Sequence, residues 1–422
     1  MNVWLVKLEE SLPVDDDYRP YRMGMLSDAL VGHGHTVTRW CSDIHHLTGK
    51  ERYGKNHTLR FSEREVFQFL NSGLTYKSPV SILRFVNNYL LSQIYKSVGR
   101  KCDAPDIIVC SMPTPELAKV SADLAEFFNI PLVIDARDYW PDVIESELKG
   151  VRSIIAKPLI GLMRHNLKSA SRRATSLVGI TSFYRDHLLN YAKRSLSPLD
   201  KVFPLGYESR SLILTAEECK SCESFWEEKG LLFDGSQKHI YFAGRLNSTV
   251  HSVIQPVLEA ARSIERSCPG VKFVLCGSGQ YEDEIRRLAG SSKNVVVPGE
   301  ITSKRLLYLR SRSLVALLPI ERRADYQNSL SNKFFEYLSA GLPILSWLDG
   351  VPGRQILDNS CGFVYNDSGE LIDYVILLVS DVSLRNEMSK NALDLYSEKY
   401  DAAVIYNDFA KHVASISSFY KS

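Results

Sequence analysis

Residues 329–347, SLSNKFFEYLSAGLPILSW, place a polar loop, an apolar helix and a short apolar strand one after another. Within the helix, Phe334 and Leu338 recur at helical spacing, which predicts that this face packs on a sheet. A helix that leads straight into a buried strand is the repeating element of α/β proteins. The stretch therefore predicts an α/β fold, and Lys333 and Glu336 put charges into the first turns of its helix.

The same alternation of strands and helices runs through most of the chain. The early part has the apolar runs NVWLVKL, TVTRW, DIIVCSM, PLVIDAR, SLVGIT and VFPLG, with helical patterns such as PELAKVSADLAEFF between them. The later part has HIYFAGR, VKFVLCG, NVVVPG, SLVALLP, LPILSW and CGFVYN. Helices long enough to cross over favour parallel pairing, so we predict two Rossmann-like domains, each with a parallel sheet.

A polar and acidic stretch at 208–238 separates the two series of strands. A chain of 422 residues also exceeds the size of most single cores. We predict an N-terminal domain at 1–205, a C-terminal domain at 206–395 and a helical segment at 396–422 that packs back on the N-terminal domain. Because ligands bind beyond the carboxyl ends of parallel strands, the expected site is the cleft between the two domains.

The composition argues against several classes of protein. With 51 Lys and Arg against 49 Asp and Glu, nothing in the overall charge indicates a nucleic-acid partner. There is no apolar run of about 18 residues, and the opening MNVWLVKLEESLPVDDD does not resemble a signal peptide. The eight cysteines are scattered and predict reduced thiols, because Cys219 and Cys222 have no second pair at zinc spacing. These features predict a cytoplasmic protein.

The charges at the start of the helix in 329–347 suggest an anion site. The first N–H groups of a helix and its dipole favour a bound anion, and a cation such as Lys333 is unfavourable there unless an anion compensates it. Glu336 lies one turn further on and could accept hydrogen bonds from ribose hydroxyls. The alternative is an ordinary helix whose exposed Lys and Glu form a weak pair.

A second cation occurs at an equivalent position. Arg245 directly follows the first strand of the second series, and the turn of Gly277 and Gly279 follows the next strand. Strand ends of one parallel sheet converge on one edge, so these residues should lie beside the loop at 329–331 and suit a nucleoside diphosphate. The glycine turn alone also fits a simple strand-to-helix turn, because Glu282 breaks the GxGxxG spacing.

The segments FAGRLN, FVLCGSG, VVVPGEI and SNKFFEYLSAGLPI, in that order and spacing, resemble the donor-binding half of GT-B glycosyltransferases of family 4. In the first half, LSDALVGHGHTVTRW is similar to the family's first helix and its Gly-His turn, and VIDARDYWPDVI resembles a segment common in members for bacterial surface polysaccharide. Residues 45–100 are the least typical. The resemblance implies the GT-B fold, in which two Rossmann-like domains face each other across a cleft. It also implies a retaining glycosyltransferase that uses a nucleoside-diphosphate sugar as co-substrate and requires neither a metal nor another cofactor.

The same resemblance implies roles for individual residues. Arg245 and Lys333 would neutralise the departing diphosphate, and Glu336, which matches the second glutamate of the family's E-x7-E motif, would contact the ribose. The other donor-binding positions implied are Asn328, Ser329, Leu330 and Ser331 near the phosphates and donor sugar, Gly277 in the glycine turn, and Gly299, Glu300 and Ile301 near the base.

Two positions depart from the family pattern. The first glutamate of the motif is replaced by Asn328, which can meet sugar hydroxyls but carries no charge. The family's lysine five residues after the Gly-Arg arginine is replaced by Val250. We therefore expect Arg19 or Arg22 to complete the cationic set with Arg245 and Lys333.

The chemistry itself needs few groups. Departure of a diphosphate builds negative charge while the sugar becomes oxocarbenium-like, so prearranged cations and helix N–H groups provide most of the stabilisation. Asp138, between Arg137 and Asp142 in the DARDYWPD segment, is the candidate that orients the acceptor or the donor sugar. The alternative is a loop aspartate that caps the following turn.

No metal site is predicted. Asp15, Asp16 and Asp17 contain the D-x-D spacing of metal-dependent transferases of the other main fold, but a solvated acidic loop fits them better in this architecture. The histidines at 33, 35, 45 and 46 lack partners at metal spacing.

The segment from Lys149 to Lys201 is rich in cations and contains only Asp186 and Asp200 as acids. Its cations are Lys149, Arg152, Lys157, Arg164, Lys168, Arg172, Arg173, Arg185, Lys193, Arg194 and Lys201. Within it, AKPLIGLMRHNLKSASRRA mixes basic and apolar residues as helices on anionic membranes do. This favours peripheral contact with the inner face of the plasma membrane and a lipid-linked saccharide acceptor; the alternative is a helix packed on its own domain with a solvated basic face.

The predicted function is hence sugar transfer from a nucleotide sugar to a saccharide acceptor, in O-antigen or capsule biosynthesis. Two alternatives stay open. A GT-B epimerase would act on the nucleotide sugar itself and would need acidic groups on both sides of the sugar ring, where Asn328 supplies none. A non-catalytic partner of another transferase would account for Asn328 and Val250, but gives no reason to keep Lys333 in its unfavourable position.

Overall fold

The structure, a computed structural model, describes residues 1–16, 18, 20–45, 48–75, 82–148, 150–208, 213–290 and 292–421. The chain divides into two compact units. The N-terminal unit comprises residues 1–205 together with 402–422, and the C-terminal unit comprises residues 206–401. None of the described helices combines the length and apolar character needed to span a lipid bilayer.

The N-terminal unit contains one sheet of eight strands. The strands are β1 (Asn2–Val6), β2 (Thr36–Ser42), β3 (His57–Arg60), β4 (Glu65–Leu70), β5 (Ile107–Ser111), β6 (Leu132–Ala136), β7 (Ser176–Gly179) and β8 (Lys201–Val202). Its helices are α1 (Arg22–Gly32), α2 (Ile82–Gly99), α3 (Pro115–Phe128), α4 (Asp142–Glu147), α5 (Val151–Arg173), α6 (Ser182–Ala192) and, at the end of the chain, α17 (Ala402–Lys421). The strand order is β3-β4-β2-β1-β5-β6-β7-β8, and every pair is parallel except β3 with β4.

The C-terminal unit contains a sheet of six parallel strands. They are β9 (Lys238–Ala243), β10 (Val271–Cys276), β11 (Val295–Gly299), β12 (Val315–Leu318), β13 (Ile344–Ser346) and β14 (Gly362–Val364). The helices are α7 (Ala216–Glu228), α8 (Ser248–His251), α9 (Ile254–Ser267), α10 (Glu282–Ala289), α11 (Ser303–Ser311), α12 (Ala324–Gln327), α13 (Asn332–Ser339), α14 (Val351–Asp358), α15 (Ser368–Ser380) and α16 (Val382–Lys399). The strand order is β11-β10-β9-β12-β13-β14.

Both sheets reverse their strand order at one point, next to the first strand of the unit. In the N-terminal unit the reversal lies between β1 and β5, and in the C-terminal unit it lies between β9 and β12. The connections after these strands leave in opposite directions, which opens a crevice at the carboxyl edge. These two crevices are where the side chains discussed below converge.

The predicted class, two α/β domains with parallel sheets, is confirmed. The antiparallel pair β3–β4 and helix α2 had not been predicted, and they fall in 45–100, the least typical part of the sequence. The end of the chain needs a correction of detail, since α16 belongs to the C-terminal unit and runs to Lys399. The segment that packs on the N-terminal unit is therefore α17, where Phe409 stacks on Phe203 with ring centroids 4.5 Å apart.

Candidate donor site

A pocket of about 580 Å³ lies at the carboxyl edge of the C-terminal sheet. It is lined by the ends of β9 and β10, by the loops that follow β9, β10 and β11, and by Leu306 from α11. The lining residues are Ala243, Gly244, Arg245, Cys276, Gly277, Ser278, Gly279, Glu300, Ile301 and Leu306. The structure thus brings together Arg245 and the glycine turn, which the sequence predicted to share one edge, and the segment around Glu300, which the resemblance implied to lie near the base.

Close approach of backbone to backbone shapes this pocket. The Gly244 N–H donates to the Cys276 carbonyl at 3.0 Å, and the Gly277 N–H donates to the Gly299 carbonyl at 2.8 Å. Gly277 has φ +137°, and a Cβ atom there would lie 1.8 Å from the Gly244 oxygen. Gly279, at φ +157°, would place a Cβ 2.5 Å from the Leu246 oxygen. Only glycine fits either position, so the GSG turn has a structural requirement beyond a simple connection.

Lys333 extends from the first turn of α13 across the end of β9. A Cβ on Gly244 would lie 2.1 Å from its Cε and 2.6 Å from its Nζ, and the Nζ lies 5.9 Å from the centroid of the Phe242 ring. Burial lowers the pKa of Lys333, and the charge of Glu336 partly offsets this effect. The lysine is therefore a cation held at an energetic cost beside the pocket, which a bound anion would reduce.

Arg245 is the second cation of this edge, and its side chain is exposed on the pocket. Within the described part of the chain, no carboxylate forms an ion pair with it. Val250 is the third residue of α8, the first helix after Arg245. Its side chain is 3% exposed and packs in the core with Leu246 and Ile254. The position where the family's lysine would fall therefore faces the core.

The loop before α13 carries the remaining residues predicted near the phosphates. Asn328 ends α12, and its Nδ2 donates to the Ala324 carbonyl at 2.8 Å. Leu330 is buried, and Ser331 is the N-cap of α13 without a side-chain cap hydrogen bond. The Ser331 Oγ is buried and has no hydrogen-bond partner among the described residues. A buried hydroxyl without a partner is costly, so a ligand oxygen at the start of α13 would satisfy it.

Glu336 lies one turn further along α13, with 18% of its side chain exposed. Arg310, on α11, approaches it with Nη1 3.5 Å from Oε2. Arg310 was not among the residues predicted from the sequence. It is one of several arginines in the RLLYLRSR stretch, and nothing local distinguishes the one that turns inward.

The expected base-binding residues lie at the end of β11 and directly after it. Gly299 has φ +86°, Ile301 lines the pocket, and the Ser278 hydroxyl lies 3.5 Å from Oε2 of Glu300. The carboxylate of Glu300 is exposed at this end of the pocket. The apolar Ile301 and Leu306 together offer a surface on which a planar base could lie.

In the N-terminal unit, Asp138 follows β6 and is exposed. In the described structure its carboxylate makes no hydrogen bond, and the N-cap residue of α4 is Pro141. Its neighbour Arg137 donates to Oε1 of Glu10 at 3.1 Å. Asp142 accepts from Arg164 at 3.0 Å and from the Tyr191 hydroxyl at 2.9 Å. Asp142 therefore has a structural role, since it binds side chains of α5 and α6. No contact among the described residues supports the alternative that Asp138 caps the following turn.

The prediction that Arg22 completes the cationic set is wrong. Arg22 is 1% exposed and forms a bidentate pair with Asp135, with both N–O distances 2.8 Å. Its Nη1 donates to the Pro204 carbonyl at 3.0 Å, and the guanidinium lies 5.1 Å from the Phe409 ring centroid. Its charge is compensated inside the N-terminal unit, so it is not available to a diphosphate. Arg19, the other residue considered, lies outside the described residues.

Sequence reasoning missed Lys7, the residue after β1. Its Nζ donates to the Met112 carbonyl at 2.9 Å, at the point where the strand order of the N-terminal sheet reverses. Burial lowers the pKa of Lys7 to about 8, with a further lowering by Arg137, while nearby carboxylates including Asp138 raise it. The signal was present in the sequence, since Lys7 is the single charge in the run NVWLVKL.

The acidic loop contains a structural ion pair. Asp15 accepts two hydrogen bonds from Arg52, each 2.7 Å long, and these bonds contribute to lowering its pKa against the effect of burial. Asp17 and His46 lie outside the described residues. Over the described ranges, no group of three His, Cys, Asp or Glu side chains is placed to hold a metal ion.

The fold and the pocket define a GT-B protein. Residues 226–394 match the family Glycosyl transferases group 1, which covers most of the C-terminal unit. The chain is 22% identical over 249 residues to alpha-D-kanosaminyltransferase from Streptomyces kanamyceticus, in an alignment that spans 58% of this chain and 61% of that relative. The match to the group 1 glycosyltransferases therefore lies in the C-terminal unit, within a chain of GT-B fold.

Solved structures agree with this fold over nearly the whole chain. Sucrose-phosphate synthase from Thermosynechococcus elongatus is 14% identical and covers 99% of both chains, with a TM-score of 0.71. HepE from Anabaena in complex with UDP-glucose is 12% identical, covers 98% of this chain and 100% of its own, and has a TM-score of 0.63. WaaG, a glycosyltransferase involved in lipopolysaccharide biosynthesis, is 15% identical, covers 97% and 99%, and has a TM-score of 0.62.

Proposed function

We propose that the protein is a retaining glycosyltransferase that moves a sugar from a nucleoside-diphosphate sugar to a saccharide acceptor. The observation that carries the proposal is that two cations meet at the carboxyl edge of the C-terminal sheet. Arg245 lines the pocket, and the end of Lys333 lies against Gly244, another lining residue. Lys333 is partly desolvated there and lacks the compensation that an anion would supply. A diphosphate at the start of α13 provides that compensation.

The pocket suggests how each part of the donor would be held. The phosphates would lie between Lys333, Arg245 and the first N–H groups of α13, with the Ser331 hydroxyl as a further donor. The ribose hydroxyls would donate to Glu336, and the base would lie against Ile301 and Leu306. As the bond to the sugar breaks, the growing charge on the diphosphate would meet cations and dipoles already in place, which lowers the barrier.

We further propose that these groups stabilise the leaving diphosphate without a metal ion, and that transfer leaves the anomeric configuration unchanged. Lys333 and Arg245 supply two full positive charges, comparable with what a divalent cation would contribute. Retention requires the acceptor to attack from the face that the diphosphate vacates. In the N-terminal unit, Asp138 has an exposed carboxylate that could orient an acceptor hydroxyl.

We also propose a lipid-linked saccharide as the acceptor, in a pathway that builds a surface polysaccharide. An exposed apolar face on α5 supports this, since Ile154, Ile155 and Leu162 are 66%, 71% and 48% exposed beside the exposed Lys157. Such a face suits the interface of an anionic membrane. The similarity in fold to a glycosyltransferase of lipopolysaccharide biosynthesis is consistent with this pathway.

Calorimetric titration tests the donor site. The purified protein is titrated with UDP, GDP, dTDP and their common sugar nucleotides, alongside Lys333→Ala, Glu336→Ala and the control Lys390→Ala, which alters an exposed lysine on α16. We expect one nucleotide to bind selectively, and its affinity to fall about tenfold or more in the first two variants and to be unchanged in the control.

Failure of all nucleotides to bind would overturn the proposal and favour a non-catalytic partner. With the donor known, turnover in EDTA and the anomeric configuration of the product, read by NMR, test the metal-free and retaining parts. Loss of activity in EDTA, or an inverted product, contradicts them. Formation of a new nucleotide sugar without any acceptor would instead identify an epimerase.

A further inference from the structure

A buried arginine lies behind the carboxylate that would bind the ribose. Arg310 is 8% exposed, and its Nη1 lies 3.5 Å from Oε2 of Glu336. On its other side, Nη2 donates to the Tyr207 hydroxyl at 3.0 Å, and the guanidinium carbon lies 5.5 Å from the centroid of the Tyr207 ring. Arg310 therefore links Glu336 to Tyr207, a residue that does not line the pocket.

Tyr207 is itself firmly held. It is 5% exposed, its N–H donates to the Tyr400 carbonyl at 3.2 Å, and its own carbonyl accepts from the Tyr396 hydroxyl at 2.7 Å. It also forms a parallel bridge with Asp401. These contacts hold the backbone of Tyr207, and its ring is buried. An arginine that bonds to this hydroxyl has little freedom to turn away from Glu336.

The charges explain why the arginine matters to the carboxylate. Burial opposes the charge of Arg310, and Glu336 is the carboxylate that most compensates it. A buried guanidinium that loses such a partner is strongly unfavourable, so the pair is held together. A carboxylate has room for about four hydrogen bonds, so Glu336 can face Arg310 and still accept from two ribose hydroxyls.

We infer that Arg310 and Tyr207 are positioning residues for recognition of the donor ribose. Arg310 keeps the Glu336 carboxylate directed along α13, and Tyr207 keeps Arg310 in place. The inference rests on the proposed function, because it requires a nucleotide whose ribose meets Glu336. It assigns specificity for a ribonucleotide to residues that the donor does not touch.

The test compares two ligands that differ only in the ribose. UDP or GDP, whichever the wild type binds more tightly, and its 2′,3′-dideoxy analogue are titrated into the wild type, Tyr207→Phe and Arg310→Met. Tyr207→Phe removes one hydroxyl and keeps the ring. Tyr365→Phe is the control, because Tyr365 is also buried in the same unit and packs against Trp347 instead.

We expect the dissociation constant for the ribonucleotide to rise about five- to tenfold in Tyr207→Phe and more in Arg310→Met, because the orientation of Glu336 is lost. The constant for the dideoxy analogue should stay within about twofold of wild type in both variants. Tyr365→Phe should change neither constant.

Equal losses for the two ligands would mean a merely structural role and would overturn the inference. So would equal affinities of the wild type for both ligands, or unchanged ribonucleotide affinity in Tyr207→Phe. If Arg310→Met does not fold, Tyr207→Phe alone decides the question. A wild type that binds neither UDP nor GDP contradicts the ribose site and is thereby distinguished from a failure of positioning.

Discussion

At the scale of single residues, the shape of the pocket depends on glycines, whose lack of a side chain lets neighbouring groups approach closely. Gly277 leaves room for the Gly244 carbonyl, and Gly244 leaves room for the stem of Lys333. A side chain at Gly277 would push apart the loops that follow β9 and β10, and one at Gly244 would displace the end of Lys333. The position of the Lys333 charge therefore depends on the shape of these loops.

Replacement of Gly277 by Ala tests this dependence. The added Cβ would lie 1.8 Å from the Gly244 oxygen, so the two loops must separate. We expect nucleotide affinity to fall more than about tenfold and the free energy of unfolding to fall by about 2–4 kcal/mol. Calorimetric titration and urea denaturation measure the two effects.

Gly235→Ala is the matched control for this variant. Gly235 also has a positive φ, +92°, but a Cβ there would meet nothing within 4 Å. Alanine at position 235 therefore has the same kind of backbone strain without a clash. The Gly235→Ala variant should bind nucleotide as the wild type does. Comparable nucleotide affinity in the two alanine variants would show that the contact between the loops is unimportant.

At the scale of elements, α5 shows how neighbouring helices change the character of a basic segment. Arg164 pairs with Asp142 of α4 at 2.5 Å, and Arg173 pairs with Asp123 and Glu126 of α3 at 2.9 Å. These acids lie outside the basic segment, so its positive charge is smaller than the sequence indicates. What α5 presents to solvent includes Ile154 and Ile155.

This face predicts binding to membranes. We expect the wild type to cosediment with vesicles of phosphatidylcholine and about one-third phosphatidylglycerol, and less so at high salt, since anionic lipid adds an electrostatic term. The double variant Ile154→Ser, Ile155→Ser should bind about tenfold more weakly, because two exposed apolar side chains are lost. Phe419→Ser, which alters an equally exposed apolar residue on α17, is the control. Equal binding of the wild type and the double variant would contradict a docking role for α5.

At the scale of the whole molecule, stability depends on titratable groups buried in each unit. His239, on β9, is 2% exposed and packs against Phe233, with ring centroids 4.8 Å apart. Burial lowers the pKa of His239 to about 4, and the charges of Lys238 and Lys272 lower it further. The folded protein thus holds this histidine neutral at a pH where the unfolded chain would protonate it.

This predicts a loss of stability in acid. The pKa of His239 is about 6.5 in the unfolded chain and about 4 in the fold, so its contribution is complete above pH 6.5 and is lost as the pH falls towards 4. Between pH 7 and pH 4.5 the cost should be about 2 kcal/mol. In His239→Leu, urea denaturation followed by circular dichroism should show a correspondingly smaller loss over that range. Identical pH profiles for the two proteins would disprove the assignment.

The class of fold follows from the sequence alone, and so does the prediction that Arg245 and the glycine turn lie at one edge of the sheet. The alternation of strands and helices and the order of Arg245, the glycine turn and SNKFFE are local patterns, and parallel strand ends must meet at one edge. The tertiary structure decided which charges remain available. Arg22 is neutralised by Asp135, 113 positions away, and Arg310 reaches Glu336 only because α11 and α13 flank the same sheet. Periodicity is encoded among neighbouring residues, whereas the partner of a buried charge depends on the order of strands, which no local pattern specifies.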